Sequence, residues 1–208
     1  MRKKPFFCMD SVNTRIENAV TDCNAAGAGP QERMGGERMR LEAMAVQIPH
    51  VDGHPNRVAF EGVLTMVNTA SDKAPAGARG HRVMLTREAA EKALPSLLGM
   101  AVDYRPGWDG HDARRKIGLL TEADLIGQRL MVRGYLYARD FPEVAGAIQA
   151  HSPETMGMSY ELADARVEDI RAEVWKLTRV TFTGAAILLR EKAAYRETSF
   201  TMRSPVAL

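Results

Sequence analysis

Apolar and polar residues alternate along much of this chain with the two-residue period of half-buried strands. Val58 to Val67 (Val-Ala-Phe-Glu-Gly-Val-Leu-Thr-Met-Val) is the longest early run of this kind, and Arg82 to Leu85 is a shorter one. Met44 to Ile48 reads as a short strand before them, and Val102-Asp103-Tyr104 as another after them. Ile117 to Ala123 and Arg129 to Tyr137 predict a hairpin about Gly127. Met156 to Leu162 and Glu173 to Phe182 predict a second antiparallel pair, the latter rich in β-branched and aromatic residues. Helical signals are fewer. Thr86 can cap a helix starting at Arg87, with Glu88 in the favourable first turn and Pro95 and Gly99 as stops. Asp140 can cap another, with Pro142 in the first turn and Glu143 reaching back. Ala185 to Arg196 has helical composition. Many short strands with few interposed helices predict an α+β, mostly β fold: a small closed or nearly closed β-barrel with flanking helices.

Composition sets the boundaries. A chain of 208 residues with 45% hydrophobic content is long enough for one domain with a sizeable core. Residues 1–43 differ from the rest, because Asn24 to Pro30 and Met34 to Glu37 are rich in small and breaker residues that cannot offset the entropy of ordering. They predict a flexible N-terminal arm, followed by a folded domain over 44–197 and a C-terminal tail over 198–208. The net charge of +2 comes from 28 basic and 26 acidic residues, which gives no field for a nucleic-acid partner. The two cysteines, Cys8 and Cys23, build neither a disulfide framework nor a CxxC metal pattern, and fit a reducing compartment. No run of 18 apolar residues exists, so no membrane span is expected, and the basic start lacks the apolar stretch of a signal peptide.

Candidate chemistry sits in two segments. Thr155-Met-Gly-Met-Ser-Tyr-Glu161 places Ser159 in an apolar strand, after Gly157. Some fifty residues upstream, Asp109-Gly110-His111-Asp112 is a polar loop, since Pro106-Gly107 and Asp109-Gly110 both favour turns. A serine hydroxyl is a poor nucleophile at neutral pH and needs a base within hydrogen-bond reach. His111 suits that role on a hydrated loop, and Ser159 suits the nucleophile role if its strand lines the same cleft. Taken blindly, a serine and a histidine at this separation also fit a β-rich domain with no catalysis. Gly157 to Glu161 is not Gly-x-Ser-x-Gly, which disfavours an α/β-hydrolase elbow. Asp109, His111 and Asp112 are potential metal ligands, but one short loop with no second cluster is a weak metal signal, and no metal or cofactor is expected. His50, His54 and His81 lie near turns, and Trp108 and Trp175 are most simply packing residues.

The combined pattern is a polar loop ending in His111-Asp112, then Ile117-Gly118, a hairpin through Leu130 to Tyr135, a helix with Glu143 and Ile148, and Met156-Gly-Met-Ser-Tyr160. It resembles the prohead (capsid maturation) serine proteases of tailed bacteriophages, a family similar to the herpesvirus assemblins. The resemblance covers roughly residues 57 to 195. It implies a small β-barrel ringed by helices and a serine endopeptidase with Ser159 as nucleophile and His111 as general base. It implies cleavage of scaffold or capsid-protein precursor, with self-cleavage, inside the immature capsid in the bacterial host cytoplasm. The major capsid protein precursor and scaffold are the implied partners, and the assemblin relatives imply a homodimer or an assembly-dependent oligomer. Relatives carry their third catalytic member, a histidine or an acid, on the strand after the serine strand. Here Lys176 to Phe182 has no acid, so Glu173 is the candidate if the two strands pair, with Asp169, Glu161 and Asp112 behind it. Arg179, on the same strand, is a candidate to meet the oxyanion, against a plainer reading as the partner of a surface carboxylate. The missing acid also keeps open a non-catalytic capsid- or scaffold-associated structural protein of the same fold.

Overall fold

A computed structural model describes residues 54–203; the expected arm over 1–43 and the short strand at Met44–Ile48 lie outside the described residues. Eight strands form one sheet: β1 (Arg57–Met66), β2 (Arg82–Leu85), β3 (Ala101–Tyr104), β4 (Lys116–Ile126), β5 (Arg129–Tyr137), β6 (Met156–Val167), β7 (Val174–Leu189) and β8 (Ser199–Met202). The helices are α1 (Arg87–Ala93), continued by a 3₁₀ turn over Leu94–Leu97, and α2 (Pro142–Ala150).

The strand order is β2-β7-β3-β4-β5-β1-β8, with β6 paired to β7 off this path. The mostly β reading holds, but the expected closure differs. The path of paired strands is open, and β1 meets β2 only through the isolated bridge Val67–Leu85 at its end. β2 pairs with β7 in parallel along one edge, and its other edge forms no ladder with β1.

The alternation explains most of the strands. On β5, Leu130, Val132, Gly134 and Leu136 are buried on the inward face, and Met131, Arg133 and Tyr135 between them are half-buried. β4 joins β5 through a tight turn at Gly127, whose φ of 59° suits a residue without a Cβ. Phe60 on β1 and Phe200 on β8 meet in the core with ring centroids 4.9 Å apart. Each such side chain contributes roughly 2–3 kcal/mol by leaving water.

Three local expectations are corrected. Ala185 to Leu189, expected as helix, is the last part of β7. Alanine and leucine favour helix intrinsically, but this segment is buried on both sides between β3 and β6, and there a continuous apolar strand is the stable form. Ser199 to Met202, expected as tail, pairs antiparallel with β1 and inserts Phe200 into the core. Asp140 does not cap α2; Phe141 takes that position without a side-chain bond, and the Asp140 carboxylate accepts from Asn56 Nδ2 at 2.8 Å. Thr86 does cap α1, accepting from Ala89 N.

Candidate functional site

Three neighbouring strands, β3, β7 and β6, set the site. Asp103 on β3 stands opposite Ala186 on β7, and Ser159 on β6 stands opposite the same Ala186. Residues opposed across a sheet project to the same face, so Asp103, Ala186 and Ser159 form one row, with the outer two separated by two strand spacings, roughly 10 Å. An imidazole reaching across the small methyl of Ala186 can touch both ends of that row.

His111 is that imidazole. It lies on the loop joining β3 to β4. The loop turns through Gly107 and Trp108, both at positive φ, and is pinned where Leu189 N donates to the Trp108 carbonyl at 2.8 Å. The Trp108 ring leans on Tyr104, centroids 5.3 Å apart. The result brings His111 Nε2 to 3.1 Å from Ser159 Oγ, and Nδ1 to 3.4 Å from Asp103 Oδ1. The second distance is long, and no acceptor meets strict hydrogen-bond geometry at Nδ1. Asp103 is nonetheless its nearest carboxylate, since Glu161 Oε1 stands at 4.0 Å. Such bonds often tighten only when a substrate is seated.

The Asp103 side chain is 0% exposed. A buried carboxylate needs charged or hydrogen-bonding partners, and it has three. Besides His111, Lys116 Nζ sits 2.8 Å from Oδ2, and the Asp112 backbone N donates to Oδ1 at 3.3 Å. A register shift between Val102 and Asp103 sets Asp103 opposite Lys116. Burial by itself pushes the carboxyl up; the close His111 imidazole and the Lys116 ammonium outweigh that and hold Asp103 below its ordinary value. An ionised Asp103 only accepts, so the Nδ1 side is where the imidazole proton is best placed. Nε2 is then free to accept from Ser159.

His111 and Ser159 are thus brought together; Glu173 and Arg179 are not brought to them. Glu173 precedes β7, thirteen residues from Ala186, roughly 40 Å of strand path. Its carboxylate is 89% exposed and pairs with Arg82 at 3.4 Å. Arg179 stands opposite Arg166, seven residues of strand from Ala186. Among the other carboxylates named from sequence, Asp169 Oδ1 accepts from Arg171 N in the β6–β7 turn. Glu161 is 49% exposed at the rim. Asp112 pairs with Arg115, and its backbone, not its side chain, serves Asp103. Asp109 pairs with Arg105, and among the described residues no three metal-ligating side chains converge on one point.

Sequence reading missed two residues. Asp103 had a signal: an acid inside a short apolar strand, between Val102 and Tyr104, must be paired if that strand is buried. Arg190 follows directly on β7, with its backbone N bonded to Thr155 O at 2.8 Å. Its Cα lies 3.1 Å from where a Cβ on Gly157 would stand, on the side of β6 that also carries Ser159. Its Nε is buried without a hydrogen-bond partner. Gly157 therefore admits the arginine stem beside the serine. Nothing in the local sequence distinguishes Arg190 from a surface arginine.

No family model matches the sequence, and no curated protein matches it. Solved structures similar to this chain include two proteases. One is the capsid assembly protease gp21 of bacteriophage T4, at 12% identity and TM-score 0.44, covering 61% of this chain and 80% of that one. The other is the KSHV protease solved with a hexapeptide phosphonate inhibitor, at 10% identity and TM-score 0.44, covering 71% of this chain and 65% of that one.

Proposed function

We propose that this protein is a serine endopeptidase in which Ser159 is the nucleophile, His111 the general base and Asp103 the third member. The observation that carries the reading is the row Asp103–His111–Ser159, with Nε2 at 3.1 Å from the hydroxyl and a buried carboxylate behind Nδ1. His111 takes the Ser159 proton as Oγ attacks a peptide carbonyl. Ionised Asp103 holds the ring's orientation and stabilises the imidazolium. His111 then gives the proton to the leaving amine, and water cleaves the acyl-serine by the same steps in reverse roles. The developing oxyanion needs donors. Backbone N–H groups beside Ser159 are one source, and Arg190, whose stem packs beside Gly157 and whose buried Nε has no partner, is the candidate cation.

The same reading places the enzyme in phage head assembly, cutting the capsid precursor or scaffold and itself inside the immature capsid, as a dimer or in an assembly-dependent state. Its support is the resemblance of the His111 and Ser159 segments to prohead proteases.

The test is chemical and needs no substrate. Wild-type protein treated with diisopropyl fluorophosphate gains one adduct, mapped by peptide mass to Ser159, and His111→Ala gains none. A folded wild type that takes no adduct at Ser159 either alone or when co-expressed with the capsid precursor removes the nucleophile assignment and returns the chain to a structural role. Co-expression with the capsid precursor then reads the biological part: cleaved precursor with wild type, intact precursor with Ser159→Ala.

A further inference from the structure

The β6–β7 ladder that carries Ser159 at one end carries three cations near the other. Arg166 on β6 and Arg179 on β7 are directly opposed, and Lys92 on α1 joins them around one open groove of about 300 Å³, completed by Ala89, Thr178 and Val180. Like charges facing each other across a ladder repel, and a fold gains nothing by keeping them there unless something else uses them. Among the described residues none of the three has an ion pair. Glu88, one turn before Lys92, makes none with it; Glu91 pairs with Arg87, and Glu168 with Lys176. Asp164 accepts from Thr181 at 3.5 Å. Of the nearby acids, Glu91, Glu168 and Asp164 are engaged elsewhere, and Glu88 makes no ion pair with the three cations.

We infer that this groove is an exosite for an acidic stretch of the polypeptide the enzyme cleaves. Three cations around a single concavity suit two or three side-chain carboxylates. They do not form the continuous stripe that tracking a nucleic-acid backbone requires, and a net charge of +2 supplies no wider field. The groove also lies on the catalytic ladder itself. From Ser159 to Arg166 is seven residues along β6, roughly 20 Å once the bulges are counted. An extended substrate laid along the ladder would bring side chains about seven residues from the scissile bond to Arg166 and Arg179. The exosite role rests on the peptidase reading; the groove's affinity for carboxylates does not.

Binding and cleavage are therefore measured separately. A fluorescein-labelled Glu-rich hexapeptide is titrated by polarisation into full-length Ser159→Ala protein at low salt. Binding is expected, weakening as salt rises, and falling about tenfold or more in the Arg166→Glu/Arg179→Glu background, since each exposed pair contributes modestly and charge reversal adds repulsion. Lys92→Glu is the second variant should the double change fail to fold, as checked by circular dichroism. Peptide binding that is absent, or unchanged in the folded variants, overturns the inference, as does tighter binding of labelled single-stranded DNA than of the peptide. Serine labelling by the fluorophosphate reports on the peptidase reading alone, so either can fail without the other.

Discussion

The two ends of the β6–β7 ladder are made from the same kind of backbone and do opposite things. At one end Ser159 faces Ala186, with Ala185 and Ile187 fully buried beside it, and a buried carboxylate on the next strand. At the other end Arg166 faces Arg179 in the open. Burial at the first end converts a strand register into atomic placement, because side chains packed among neighbours have few rotamers to choose from. Exposure at the second leaves long cationic side chains free to sample, which suits long-range attraction and defeats precise geometry. The lesson is that register and burial position a reacting group, while charge alone can only gather.

Four changes would break or sharpen that contrast. Asp103→Asn should have the largest effect, a fall of about 10⁴-fold in kcat with little change in KM, because the ring loses its orienting acceptor. It also leaves Lys116 and His111 facing no charge, which costs about 2 kcal/mol of stability. The folded carboxyl titrates below its ordinary value of 3.8, so its contribution is full above that pH and is lost as pH falls through the lowered value. Urea melts of wild type and Asp103→Asn should therefore differ at pH 7 and converge in strong acid. A constant gap across that range would deny the ion-pair account.

Next in size is Ala186→Val, which touches no proton-transferring group. Added methyls in the middle of the row would displace the imidazole, and a shift of about 1 Å costs about 10²-fold in kcat. Unaltered turnover in a folded Ala186→Val protein would show that His111 does not lie across this residue. Gly157→Ala acts on stability: its Cβ would stand 2.7 Å from Thr198 Oγ1 and 3.1 Å from Arg190 Cα, so backbone must move, at about 1–3 kcal/mol in a thermal melt. Smallest is Glu173→Gln, expected to leave fluorophosphate labelling within about twofold and stability within about 0.5 kcal/mol, as for an exposed ion pair. A large loss of labelling there would reinstate Glu173 in place of Asp103.

Asp103 and Glu173 show where reading the chain succeeds and stops. Both are single acids beside apolar strand residues. The resemblance to prohead proteases, which points to the strand after the serine strand, put Glu173 first. Register decided otherwise: β7 runs for sixteen residues, Val174–Leu189, so its start lies far from its active stretch. The length of β7 was hidden because Ala-Ala-Ile-Leu-Leu reads as helix until both of its faces are known to be covered.

The sequence by itself determined the strand alternation, the Gly127 hairpin, the Thr86 cap, and the two segments holding His111 and Ser159. These are local matters of period, turn chemistry and side-chain reactivity. Only the tertiary structure decided that the strand path stays open, that Ser199–Met202 joins the sheet, and that Asp103, Ala186 and Ser159 share one row. Such facts depend on which distant strands pair and in what register, and a one-residue slip would turn each side chain to the other face. Pairing is settled by burying the whole set of apolar faces at once, so no single segment encodes it.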